Sequence, residues 1–290
     1  MRRADPGSDA LAVTLLGTGM PQPDRDRRGP SQVVELGVDL VLVDCGPGAL
    51  HRFLETGFNG ASIRLIALTH LHADHVTGLA DILWAGWVGG WWKTPPLLIG
   101  PPGTRTFVTR LLHAFEDDIR WRSAEGATTR GGLQPDTKEV EDGWSFDKAE
   151  WRLTAFRVDH HPVEHAFGFR FEAAGRAIVL SGDTRRCENL IERAEDADLL
   201  VHEVIWGEGM RRAISQASTP QSRARLDRIL SYHTPATDVG EVAALANVTQ
   251  LVLTHLIFAG GTPDDLIADV RESFQGLLCV GEDLARFPVG

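Results

Sequence analysis

Apolar residues along this chain fall in short runs, each closed by a polar or glycine-rich cluster. The runs at 11–16, 32–36, 40–43, 63–68, 97–99, 151–158, 167–171, 177–180, 199–201 and 251–253 are too short for buried helices and rich in Val, Leu, Ile and Phe, which predicts strands. Gly37 between the second and third predicts a hairpin. Helical spacing appears between the runs: Val76, Leu79, Ala80, Leu83 and Trp84 share one face. Further helices are predicted at 49–57, from Gly103 to about 115, at 187–195 and at 239–246, the last with Asp238 and Glu241 as a capping-box-like start. Apolar strands alternating with helices predict an α/β protein.

Three stretches depart from this rhythm. Four of the eight tryptophans, Trp84, Trp87, Trp91 and Trp92, lie in one short segment broken by Gly86, Gly89 and Gly90. Core packing is the expectation for Trp84 and Trp87; core packing and a substrate-facing cleft stand equal for Trp91 and Trp92. Residues 116–150 are polar and Gly-rich, with ten acidic and five basic side chains, so they form no basic arm. Residues 207–231 are polar and Arg-bearing and predict a helical insertion or lid. There is also an internal echo. Residues 65–71 (LIALTHL) match 250–256 (QLVLTHL), and Val41-Leu42-Val43-Asp44 resembles Ile178-Val179-Leu180-Ser181-Gly182-Asp183. One domain over 10–290, made of related halves at about 10–157 and 158–290, is the expectation.

Composition narrows the function classes. The net charge is −11, from 29 basic and 40 acidic residues, which disfavours blanket phosphate binding. Three scattered cysteines, Cys45, Cys187 and Cys279, argue against a disulfide framework and for a reducing cytoplasm. Arg2-Arg3 resembles the start of an export signal, but the apolar run after it is too short and reads as the first strand. No run approaches transmembrane length, so no membrane partner is expected.

The chemistry concentrates at 69–75, Thr-His-Leu-His-Ala-Asp-His, directly after the strand at 63–68. Three imidazoles and a carboxylate within six residues suit zinc and its first-row neighbours. Four such ligands cannot all serve one ion that must also bind substrate, so two adjacent ions are the economical arrangement. His70 and His72, two apart in an extended segment, point the same way and take one ion; Asp74 and His75 take the other.

His70-x-His72-x-Asp74-His75 resembles the signature of the metallo-β-lactamase superfamily. The resemblance runs over about residues 11 to 286 and is strongest to the ribonuclease Z-like and arylsulfatase-like branch. It implies a four-layer αββα sandwich with a dinuclear metal site at the sheet edge. It also implies three downstream ligands: His160 with the first ion beside His70 and His72, His255 with the second beside Asp74 and His75, and Asp183 shared. His161 competes with His160, since neighbours in an extended chain point to opposite sides. The ions are expected to be Zn²⁺, with Mn²⁺ and Fe²⁺ as the other candidates.

Such a site implies ester hydrolysis by a metal-bridging hydroxide. Asp74 is then a catalytic candidate as well as a ligand. Glu203 and His233 resemble the Glu–His pair of the ribonuclease Z branch, which places them as proton donors to the leaving group; a purely structural hydrogen bond competes with that role. Trp91, Trp92 and Phe258 are candidate substrate contacts. The Met-Pro-Gln-Pro-Asp-Arg-Asp loop after Gly17-Thr18-Gly19, the missing basic arm and the negative charge favour a small ester, phosphodiester or sulfate ester over nucleic acid. The alternatives are a ribonuclease Z-type tRNA 3′-processing endonuclease and, from another class, a non-hydrolytic metal-binding or redox protein on the same fold. Homodimers are common in the superfamily, and a homodimer is expected by that analogy.

Overall fold

A computed structural model describes residues 11–126 and 132–290. The chain resolves into two compact units. One holds Pro23–Val140 with the first strand and Asp283–Pro288; the other holds Thr18–Gln22 and Glu141–Glu282. The part of the 116–150 expectation that falls on 127–131, like the tail before residue 11, lies outside the described residues.

The sheet of the first unit contains β1 (Leu11–Gly17), β2 (Ser31–Leu36), β3 (Asp39–Val43), β4 (Ile63–Ala67), β5 (Leu97–Gly100), β6 (Thr137–Glu139) and β14 (Arg286–Val289), in the order β14-β1-β2-β3-β4-β5-β6. β1, β2 and β3 pair antiparallel; β3 to β6 are parallel. β3, β4 and β5 are almost wholly buried, which accounts for their continuous apolar runs. The helices of this unit are α1 (Ala49–Thr56), α2 (Ala73–Val76), α3 (Leu79–Val88), α4 (Thr104–Ala114) and α5 (Glu116–Ala124). Phe53, Val76, Leu79, Ile82, Leu83 and Trp87 pack on Leu42, Ile66 and Leu98.

The sheet of the second unit contains β7 (Ser145–Lys148), β8 (Trp151–His160), β9 (Val163–Ala173), β10 (Arg176–Leu180), β11 (Leu199–Ile205), β12 (Gln250–Ile257) and β13 (Leu277–Val280), in the order β13-β12-β11-β10-β9-β8-β7. β7 to β10 are antiparallel, and β10 to β13 are parallel. Helices α6 (Glu188–Ala194), α7 (Gly207–Ser215), α8 (Pro220–Tyr232), α9 (Ala236–Leu245) and α10 (Pro263–Val270) complete it. Val239, Val242 and Ala243 of α9 bury against Leu200, Val204 and Leu251.

Some expectations change. α9 begins before residue 239: Pro235 precedes it and its carbonyl accepts from the Val239 amide at 2.9 Å, so Asp238 sits inside the first turn rather than capping it. α5 occupies the start of the polar, Gly-rich run at 116–150, where no helix is expected. It buries only Ile119, so it shows no apolar stripe, and its acidic first turn, Glu116, Asp117 and Asp118, suits the positive end of a helix. Residues 207–231 form α7 and α8. Among the described residues no helix is long and apolar enough to cross a membrane.

Candidate metal centre

Both sheets present chemistry at strand ends, at the parallel strand β4 in the first and at the antiparallel β8 and the parallel β10 and β12 in the second. In the first unit, β4 runs into Leu68-Thr69-His70, and the loop turns at His72 into the single turn of α2, which carries Asp74 and His75. The loop is clamped to the end of β3. The Cys45 amide donates to the His75 carbonyl at 2.7 Å, and the Gly78 amide to the Cys45 carbonyl at 2.8 Å. Gly46 is required by this contact, because a Cβ there would fall 2.5 Å from the Asp74 carbonyl oxygen.

His70 and His75 are buried, and their rings lie 4.2 Å apart. His70 Nδ1 lies 3.0 Å from the Thr69 hydroxyl, which turns its Nε2 to within 2.9 Å of His72 Nδ1. Asp44 Oδ2 accepts from His75 Nδ1 at 2.8 Å, leaving Nε2 to face Asp74 Oδ2 at 3.6 Å. The Thr69 amide and hydroxyl both donate to Asp44, each at 2.8 Å. Imidazole nitrogens facing one another and a carboxylate, instead of diverging to solvent, are the donor set of a divalent first-row cation, so these residues fit a metal. Asp44 fixes the His75 ring in the way carboxylates behind metal-bound histidines do. In the sequence the only signal for this carboxylate is its place at a strand end that echoes Asp183.

The second unit presents a complementary set. His160 is the last residue of β8 and buried, while His161 is exposed in the turn. Its Nδ1 donates to the Tyr232 carbonyl at 3.0 Å, presenting Nε2 at 3.9 Å from Asp183 Oδ2. Burial pushes the His160 pKa below the ordinary histidine value, and the Asp183 charge partly opposes this. Asp183 follows β10, and its Oδ2 also lies 3.3 Å from His255 Nε2. One carboxylate oxygen between two imidazoles is the placement a shared ligand needs. His255 sits at a bulge in β12, where the register with β11 slips, and has φ of 45°.

Glu203 and His233 meet at 2.9 Å, His233 Nδ1 donating to Glu203 Oε1. The same oxygen accepts from the Thr184 amide at 3.0 Å, and the Glu203 amide donates to Ser181 Oγ at 3.1 Å. His233 stacks on His255 with ring centroids 5.3 Å apart, and Asp183, His233 and His255 each bring one donor atom within 4.8 Å of the others. His202, on the same strand as Glu203, is fully buried and donates Nδ1 to the Glu203 carbonyl at 2.6 Å; burial lowers its pKa.

The aromatic candidates are placed differently. Trp91 packs on Phe53 with centroids 5.6 Å apart, and Trp92 donates Nε1 to the Gly132 carbonyl at 3.1 Å and lies over Gly86. Both rings are partly buried and pack against the core of the first unit, where the glycines make flat room for them against the helix. Phe258 lies partly buried against the core of the second unit. His51 and His113 are exposed, and His165 Nδ1 lies 2.9 Å from Arg157.

Comparison with known proteins gives concordant results. The beta-lactamase superfamily domain matches residues 40–256. A ribonuclease Z of Mycolicibacterium paratuberculosis is 39% identical over 283 residues, covering 96% of this chain and 98% of the relative. Among solved structures, the metallo-beta-lactamase fold protein YhfI of Bacillus subtilis is 19% identical with a TM-score of 0.74, over 97% of this chain and all of that one. The short form of human tRNase Z is 24% identical with a TM-score of 0.67, over 95% and 98% of the two chains.

Proposed function

Because this chain belongs to the beta-lactamase superfamily and, within it, to the ribonuclease Z family, we propose that it is an RNA phosphodiester hydrolase acting at the 3′ side of precursor tRNA. That it is a metal-dependent hydrolase of ester bonds follows from the family; the RNA substrate is our reading. The observation that carries it is identity of 39% across nearly the whole length of a ribonuclease Z. This favours the polynucleotide alternative over the small-ester reading that net charge suggested, since charge summed over a chain does not describe the surface at the site.

In this reading His70, His72 and His160 hold one ion, Asp74, His75 and His255 the other, and Asp183 is shared. The donors suit zinc. Two such ions supply Lewis acidity toward the phosphoryl group and make water nucleophilic near neutral pH. Asp74 orients the attacking water as well as serving as ligand. His233, with its Nδ1 proton fixed on Glu203, offers Nε2 to the departing ribose oxygen. The three free cysteines suit a reducing compartment such as the cytoplasm.

The test is cleavage of precursor tRNA beside bis-p-nitrophenyl phosphate by zinc-loaded protein, with the metal content measured. Precise 3′ cleavage supports the reading. Turnover of the small diester with intact tRNA would overturn it in favour of a small phosphodiester, the second reading, which the net charge of −11 favours.

A further inference from the structure

An acidic protein that cuts a polyanion needs a place where its charge is locally reversed. Residues 211–228 hold five arginines and one acid, Asp227. α8 carries most of them and buries no residue. Its Leu226, Ile229 and Leu230 lie against the small cluster of Ile205, Met210 and Ile257, which fixes the rotation of the helix. With those residues inward, Gln221, Arg225, Arg228 and Tyr232 follow at intervals of four, three and four, forming one ridge. Asp227 falls on another ridge, four residues after Arg223.

The arginines of α7 and α8 differ. Arg211 and Arg212 reach Glu208 at 3.7 and 3.3 Å. Arg223, Arg225 and Arg228 are exposed and, among the described residues, make no ion pair. The ridge ends at Tyr232, whose carbonyl holds His160 Nδ1 and whose ring meets His160 edge-on at 5.1 Å. His233 is the next residue. Arg225 thus stands about 10 Å along the helix axis from Tyr232.

We propose that this ridge is the docking track for the RNA backbone: phosphates bind Arg225 and Arg228, and the strand leaves the C-terminal end of α8 toward His233. The inference rests on the RNA-hydrolase reading above. Arginine suits the task, since its planar fork pairs bidentately with phosphate oxygens.

The experiment compares Arg225→Glu/Arg228→Glu with Arg105→Glu/Arg110→Glu, two exposed arginines of α4 that change net charge equally. Kinetics on precursor tRNA are followed from low to high salt. For the α8 variant, KM is expected to rise tenfold or more with kcat within about twofold. The slope of log(kcat/KM) against log salt should flatten by about 1.5. The α4 variant should stay within twofold of the parent in KM. Equal behaviour of the two variants, or an α8 variant indistinguishable from the parent, overturns the track and leaves the RNA reading standing. A parent protein that hydrolyses bis-p-nitrophenyl phosphate but neither binds nor cuts precursor tRNA overturns both.

Discussion

The two units present their candidate metal ligands in opposite ways. The first draws four donors from six consecutive residues at the end of one strand, His70 to His75. The second gathers His160, Asp183 and His255 from the ends of β8, β10 and β12, which are far apart in sequence and become neighbours only when the sheet forms. Their supports differ too. A buried side chain, Asp44, orients His75, whereas a backbone carbonyl, that of Tyr232, orients His160. The contiguous set depends on how one loop is held to the end of β3; the dispersed set depends on the register of the strands that bring it together.

The largest expected effect is at the dispersed set. Asp183→Asn removes the charge shared between His160 and His255 and should lower turnover of precursor tRNA about a thousandfold, equivalent to about 4 kcal/mol in the barrier. It should also reduce the metal content. His233→Ala is next, with a loss of about a hundredfold or more on RNA and a much smaller one on p-nitrophenyl esters, whose leaving group needs no proton; equal losses on both would reassign His233 to structure. Asp44→Asn should weaken zinc binding by about 10- to 100-fold, measured by competition with a chromogenic chelator. Tyr232→Phe keeps the carbonyl and should change zinc affinity less than threefold. If the two affected zinc equally, the contrast between side-chain and backbone support would fail.

The smallest effect concerns acid stability of the metal-free protein. Burial lowers the folded-state pKa of His202 and of His160 below 6.5. The unfolded chain then binds more protons than the folded one below that value. Stability is therefore intact above about pH 6.5 and declines as pH falls toward the lowered folded values. Urea melts at pH 7.5 and 5.5 should show the difference, and His202→Asn should reduce it; an unaltered pH dependence would show that other groups govern it.

Much of this was legible in the sequence, for identifiable reasons. The loop at 69–75 was readable because its donors are contiguous and follow an unbroken apolar run. His160 and His161 look alike in sequence, and only the strand that extends to residue 160 gives them different surroundings, burying one ring and exposing the other. Asp44 was passed over because its partners, Thr69 and His75, are more than twenty residues away and meet it only through the pairing of β3 with β4. α5 escaped because one buried residue leaves no periodicity to detect. Trp91 and Trp92 were ambiguous because glycines at Gly60 and Gly86 that make room for large rings resemble, in sequence, glycines that open a cleft.

Asp44 and His255 share a feature that bears on how this enzyme could be altered in the laboratory. Both adopt left-handed backbone conformations, with φ of 57° and 45°, a geometry that costs a residue with a β-carbon roughly 1 kcal/mol or more. Glycine would relax each position while deleting a carboxylate or an imidazole. At Asp44 the loss of three accepted hydrogen bonds outweighs that relief, so a search for heat resistance that relaxes left-handed positions should pass over this one and keep its carboxylate.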